Sequence, residues 1–193
     1  MRRGNLFVIS GPSGAGKGTL VARLLREVPD TWVSVSITTR APRAGEVDGV
    51  HYFFVEEAEF DRLARTGGLL EWARYSGNGY GTPRASVEEH IAAGDQVILE
   101  IEVQGALQVR EQMPDAHLVF IEPPSLAVLE ERLRGRGTED EAAIRRRMET
   151  AEMELSCKEK YDTSLVNDDF EQALAELVSY VNEQAEGNTG LNR

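Results

Sequence analysis

The segment Gly11-Pro12-Ser13-Gly14-Ala15-Gly16-Lys17-Gly18-Thr19 has the residue types and spacing to hold an anion. Glycine lets backbone amides turn toward a phosphate without a Cβ in the way. A helix that follows such a loop adds free N–H groups and the positive end of its dipole. Lys17 would reach the outer phosphates as a point charge. The pattern G-x-x-x-x-G-K-[ST] is met except at its last position, where Gly18 replaces the hydroxyl residue and Thr19 comes one place later. Direct coordination of Mg²⁺ by residue 18 is therefore out of reach, and metal is expected to be held through water and substrate phosphates. A plain Gly-rich turn has a similar composition. The strand-forming run before it and the helical spacing after it are what an anion loop requires.

Three other places could carry chemistry. The stretch Ser36-Ile37-Thr38-Thr39-Arg40-Ala41-Pro42-Arg43 gathers hydroxyls and two arginines ahead of Tyr52. Arginine offers paired donors matched to phosphate oxygens, although a solvated hairpin loop would have the same composition. Glu100 ends the apolar run that starts at Val97. An acid there needs a partner, which is either a water-mediated Mg²⁺ or a structural salt bridge. Arg132, Arg134, Arg136, Arg145, Arg146 and Arg147 lie among acids, and a pair of solvated helices is the default reading of such a run.

These groups must be positioned by regular elements. Leu6 to Ser10 reads as a strand, and Thr19 to Val28 as a helix with Leu20, Val21, Leu24 and Leu25 on one face. Val33 to Ile37 alternates as one strand. Tyr52 to Val55, Leu69 to Tyr75, Gln96 to Ile101, Leu118 to Ile121 and Leu165-Val166 are further strands. Helices are expected over Glu56 to Thr66, Ala85 to Ala93, Gly105 to Gln112, Ser125 to Leu133, Glu139 to Ser156 and Phe170 to Val181. The segment Gly135-Arg136-Gly137-Thr138 reads as a break. Strands alternating with helices imply an α/β fold with a parallel sheet. The strand-rich middle interrupts that pattern as a small inserted lobe.

The 193 residues fit one domain. Twenty-one basic and thirty-three acidic residues give a net charge of -12, which argues against nucleic acid or an anionic membrane as partner. The apolar run after Met1-Arg2-Arg3 is too short for a signal peptide, so a cytoplasmic protein is expected. The lone Cys157 excludes an intrachain disulfide framework or a zinc ribbon.

Several motifs follow one another in a specific order. They are the phosphate loop, the Arg40–Arg43 loop, Glu71-Trp72-Ala73, Ser76-Gly77-Asn78-Gly79-Tyr80-Gly81-Thr82, Leu99-Glu100-Ile101-Glu102-Val103-Gln104-Gly105, Phe120-Ile121-Glu122-Pro123-Pro124-Ser125, the segment from Arg132 to Thr138, and Val166-Asn167-Asp168-Asp169. Together they resemble the guanylate kinase family over residues 5–181. The resemblance implies a P-loop NTPase core (1–35, 95–128 and 157–193), an inserted β-rich GMP-binding lobe (36–94) and a helical lid (129–156). It implies Mg²⁺-dependent transfer of the ATP γ-phosphoryl group to GMP, and to dGMP, in purine nucleotide metabolism.

By match to the family motifs, Arg40, Arg43, Tyr52 and Tyr80 hold the GMP phosphate. Ser36, Glu71, Thr82 and Glu102 read guanine. Arg132, Arg136 and Arg147 close over the phosphates, and Asn167 lies near adenine. The family carries Asp where this chain has Glu102, which makes Glu71 the firmer base reader. The chemistry is coherent, because a carboxylate accepts from guanine N1 and N2 while a hydroxyl donates to O6. Adenine leaves those groups unpaired. Two rival readings are a non-catalytic binding module of the same fold and a kinase for another monophosphate.

Overall fold

The computed structural model describes residues 4–135 and 140–187. Strand β1 (Asn5–Ser10) is buried along its whole length. Its side chains alternate between two apolar layers, as the two-residue period of a strand requires. Phe7 and Ile9 enter one layer with Leu20, Leu24, Leu174 and Leu177. Leu6 and Val8 enter the other with Val87, Ile91, Ala106 and Val109. A strand buried on both faces belongs to a parallel sheet covered by helices. The sheet order is β2-β7-β1-β8-β9, with β2 (Thr31–Val33), β7 (Gln96–Glu100), β8 (His117–Glu122) and β9 (Thr163–Val166) all parallel.

Helices α1 (Lys17–Glu27) and α7 (Phe170–Gly187) cover the first layer. Helices α3 (Arg84–Ala93) and α4 (Val103–Gln112) cover the second. The expected α/β class with a flanked parallel sheet is thus the observed one. None of the described helices is long and apolar enough to cross a membrane.

A second sheet, ordered β4-β3-β6-β5, is built from β3 (Ile37–Thr38), β4 (Phe53–Phe54), β5 (Leu69–Tyr75) and β6 (Asn78–Pro83). Its apolar filling is Ile37, Phe60 and Leu69, with α2 (Glu57–Thr66) laid across it. Ser76 (φ 50°) and Gly77 (φ 81°) form the two-residue turn between β5 and β6. Left-handed dihedrals at both turn positions suit the twist of a tight hairpin. On β6 a Cβ at Gly79 would lie 2.6 Å from the Phe60 ring, so only glycine lets the aromatic core reach the sheet.

The structure corrects three readings of the sequence. The single strand expected over Val33 to Ile37 is two, because β2 pairs with β7 in the main sheet and β3 pairs with β6 and β4 in the other. Hydrophobic alternation continues through both and carries no mark of the change of partner. The expected lobe of residues 36–94 includes α3, yet Val87 and Ile91 pack in the main core. The last helix runs past Val181 to Gly187 and buries Ala185 as a further core contact.

Helices α5 (Leu126–Gly135) and α6 (Glu141–Leu155) pack through Leu129, Leu133, Met148 and Ala151. Ser125 Oγ accepts from Val128 N–H at 3.2 Å, and Asp140 caps α6 by accepting from Ala143 N–H at 2.7 Å. A side-chain acceptor at this position satisfies an otherwise unpaired first-turn amide.

The close seat of Phe60 under Gly79 yields a test. Gly79→Ala should cost about 1–3 kcal/mol by overpacking and lower Tm by several degrees in a thermal melt. An unchanged Tm would show that Phe60 gives way freely.

Candidate active site

The phosphate loop leaves the carboxyl end of the central strand β1 and enters α1, the place where open α/β sheets bind ligands. Its shape is enforced from behind. Gly11 has φ 142°, and a Cβ there would lie 2.1 Å from Ile121 O. Gly16 has φ 92°, and its Cβ would lie 2.3 Å from Asn167 Nδ2. That amide donates to Ala15 O at 2.7 Å, while Asn167 N–H donates to Glu122 O at 2.8 Å. Asn167 is therefore a buried clamp on the loop. Lys17 Nζ donates to Gly11 O at 2.5 Å and Pro12 O at 3.1 Å. Gly18 and Thr19 are exposed at the start of the helix.

Helices α5 and α6 bring two arginines toward this loop. Arg147 Nη1 donates to Ser13 Oγ at 2.7 Å, and Arg132 Nη2 donates to Asn167 O at 3.0 Å. Both expected cations thus stand at the loop. Arg136 lies outside the described residues. Arg134 is held on the surface by Glu130 and Glu141, and Arg145 and Arg146 are exposed.

A cleft of about 400 Å³ opens between the two sheets. Ser36, Tyr52, Glu71, Tyr80, Glu100 and Glu102 all line it, so the structure brings together six of the expected residues. Thr82 is 1% exposed and donates to Glu71 Oε1 at 2.6 Å, and Glu71 is 8% exposed. The two face each other across β5 and β6, just after an irregularity at Leu70 that sinks that side chain in the main core. Such bulges re-aim neighbouring side chains. Burial pushes the Glu71 carboxyl above the usual range, the Thr82 hydrogen bond opposes this, and nearby Glu102 adds to it.

At the other end of the cleft, Glu100 stands beside Gly18, whose Cβ would be 3.5 Å from Glu100 Oε1. The surrounding protein raises its pKa against the pull of Lys17. Among the described residues no group of three or more His, Cys, Asp or Glu is arranged to hold a metal alone. A single carboxylate next to a bare backbone fits a hydrated Mg²⁺ that also needs phosphate oxygens.

Arg40 is pinned by Glu46, with Nη2 donating to Oε1 at 2.8 Å and Nη1 to Oε2 at 3.0 Å. Its guanidinium lies 5.6 Å from the Tyr52 ring centroid. The Arg40 bonds, and then the Arg43 N–H, bring the Glu46 carboxyl down to about 2. Arg43 gives only its backbone N–H, at 2.6 Å, and its side chain is exposed outside the cleft.

Two residues escaped the sequence reading. Glu46 is one, and its signal was an acid six places after Arg40 in an arginine loop. The other is Glu154, seven residues after Arg147 on the same face of α6. Burial pushes its carboxyl up to about 7, Lys17 opposes this, and Glu102 adds to it. A larger cavity of about 740 Å³ opens at the opposite end of β1, against Asn5 and Leu6, and its Arg110 is already bonded to Asp162.

A sequence model of the guanylate kinase family matches residues 3–184. A guanylate kinase of Synechococcus sp. (strain CC9311) is 56% identical over 91% of this chain and 92% of its own length. One of Streptomyces coelicolor (strain ATCC BAA-471 / A3(2) / M145) is 53% identical over 93% and 91%. The crystal structure of guanylate kinase from Anaplasma phagocytophilum superposes with a TM-score of 0.74 at 33% identity, covering 95% of this chain and 87% of that one.

The position of Glu154 sets a pH dependence of stability. Its folded pKa lies above the unfolded one, so the folded state binds more protons between about 4.5 and 7 and loses stability as pH rises through that window. Glu154→Gln should therefore raise Tm by a few degrees at pH 8, about 1–2 kcal/mol after allowance for solvent screening. It should change Tm little at pH 5. Equal gains at both pH values would overturn the assignment.

Proposed function

We propose that this chain, which belongs to the guanylate kinase family, transfers the γ-phosphoryl group of ATP to GMP, giving ADP and GDP. The observation that carries this reading is the buried Glu71 carboxylate, braced by Thr82 and sharing one cleft with the Ser36 hydroxyl and Glu100, beside the phosphate loop. A carboxylate and a hydroxyl match the donor–acceptor edge of guanine and mismatch that of adenine. Guanine N–H groups would also compensate the buried Glu71 charge, which the protein itself leaves only partly paired.

Ser36 and Glu102 complete the base site from the cleft walls. Arg40, Tyr52 and Tyr80 hold the GMP phosphate. The guanidinium of Arg40 has five N–H donors, more than its bonds to Glu46 and Ala41 consume. Arg43 joins them only if its loop moves toward the cleft. Lys17, Arg132 and Arg147, with Arg136, neutralise the transferring phosphates. Asn167 shapes the loop and borders the adenine. Bound Mg²⁺ would supply charge neutralisation at the ATP phosphates, with Glu100 holding it through water.

The acceptor is a phosphate oxygen already ionised near neutral pH, so no strong general base is needed. The protein's task is to align the two nucleotides and spread charge. Lys17 must leave the Gly11 and Pro12 carbonyls to meet ATP, and Arg147 must leave Ser13. Phosphate oxygens are stronger, anionic acceptors than the carbonyls and the hydroxyl these cations meet here. Enclosure by lobe and lid would keep water from the γ-phosphoryl group. Substrates that are small nucleotides, and the lack of a membrane-crossing helix among the described residues, support a cytoplasmic enzyme.

The test is an ADP-release assay with ATP and Mg²⁺, offering GMP, AMP, CMP and UMP in turn. Turnover with GMP and little with the others is expected. Activity with all four would remove the base-reading role of Glu71. Binding of GMP without turnover in the folded protein would point to a non-catalytic module. In the same assay Lys17→Ala should lose at least about 100-fold in kcat with Tm retained. Near wild-type turnover would remove Lys17 from the mechanism.

A further inference from the structure

The edge strand of the smaller sheet is β5, and it rests on α4 of the core. Gly105 and Gln108 of α4, at i and i+3 on one face of the helix, make that seat, and Gln112 follows on the same face. A Cβ at Gly105 would lie 2.9 Å from Glu71 Oε2, so the carboxylate is laid directly on the helix backbone. Gln112 accepts from Arg84, which also donates to Gly67 O at 2.8 Å.

Gln108 makes the central contact. Trp72 N–H donates to Gln108 Oε1 at 3.1 Å, and Gln108 Nε2 donates to Trp72 O at 3.1 Å. An edge strand leaves such groups without a strand partner. The primary amide of Gln108 takes the part of a neighbouring strand's peptide. It is the one side-chain type of this length that can donate and accept at once. Gln108 does not line the cleft.

We propose that Gln108 is a positioning residue for acceptor specificity: by clasping Trp72 it sets where Glu71 stands relative to the core wall of the cleft. The Glu71–Thr82 bond lies wholly within the smaller sheet and cannot fix that distance. The opposite wall, Ile101, Glu102, Gln104 and Gly105, belongs to β7's end and α4. The distance of Glu71 from Glu102 and Gln104 is therefore set by the separation of β5 from α4. The residue adjacent to Glu71 is where that separation is locked. This inference rests on the base-reading role of Glu71 proposed above.

The experiment compares GMP with inosine 5′-monophosphate, which lacks the 2-amino donor, in the full-length wild type and in Gln108→Ala, Gln108→Glu, Glu71→Gln and the Gln108→Ala/Glu71→Gln pair. Gln108→Ala should raise KM for GMP about ten-fold, the scale of two neutral hydrogen bonds. The GMP preference should fall by a similar factor, with KM for ATP within about two-fold. Gln108→Glu is nearly isosteric and keeps the comparison available should the alanine variant fail to fold. It accepts from Trp72 N–H but cannot donate to its carbonyl, so it should resemble the alanine variant. The double variant should lose no more than Glu71→Gln alone, as residues acting through one another are non-additive. An unchanged preference in both Gln108 variants, an equal loss toward ATP and both acceptors, or additive losses would overturn the proposal. A Glu71→Gln enzyme that still prefers GMP would instead remove the base-reading role itself, and this inference with it.

Discussion

A loop that turns its amide groups outward must be held from behind, and the rest of this structure is arranged to hold it. Ile121 O stands where a side chain at residue 11 would be. Leu129 and Leu133 cover Gly14, and Asn167 grips Ala15. Each support comes from a different element: β8, α5 and the segment after β9. The central place of β1 in the sheet brings all of them within reach of one loop.

The second theme is charge held in readiness. The chain is strongly acidic, and its proposed substrates are anions. Its cations near the cleft are bonded inside the protein. Arg40 is held by Glu46, Arg147 by Ser13, Arg132 by the Asn167 carbonyl and Lys17 by two loop carbonyls. These bonds orient the groups, and the acceptors named here are neutral in three of the four cases. Arg40 is the exception. Its partner Glu46 trades charge for a fixed, forked geometry beside Tyr52 and Tyr80.

The sheet and its helices were legible because burial on both faces leaves continuous apolar runs between glycine and proline breaks. The phosphate loop was legible because its shape demands glycine. What the sequence hid was partnership. Ser34 to Ser36 carries the chain from one sheet to the other, and alternation does not register which strand lies alongside. Ala85 to Ala93 reads as a helix either way, yet only packing assigns it to the main core. Glu154 and Gln108 meet groups distant along the chain, so their residue types alone carry no signal, and Glu46 is marked only by its spacing from Arg40. The motif matches placed Ser36, Tyr52, Glu71, Tyr80 and Glu102 in one cleft. They could not foresee that the exposed Arg43 does not line it.

The bond from Asn167 to Ala15 spans 152 residues. During synthesis the phosphate loop emerges early, and its clamp comes last. At about 5–20 residues per second that interval is roughly 8–30 s. For that time the growing chain carries a glycine-rich segment whose last support does not yet exist. The central strand likewise waits for β7 and β8, both more than ninety residues downstream in register. Contacts this remote in sequence make folding slow and concerted. A truncated product lacking its last quarter has the lysine and the glycines but not the Asn167 amide that holds their loop.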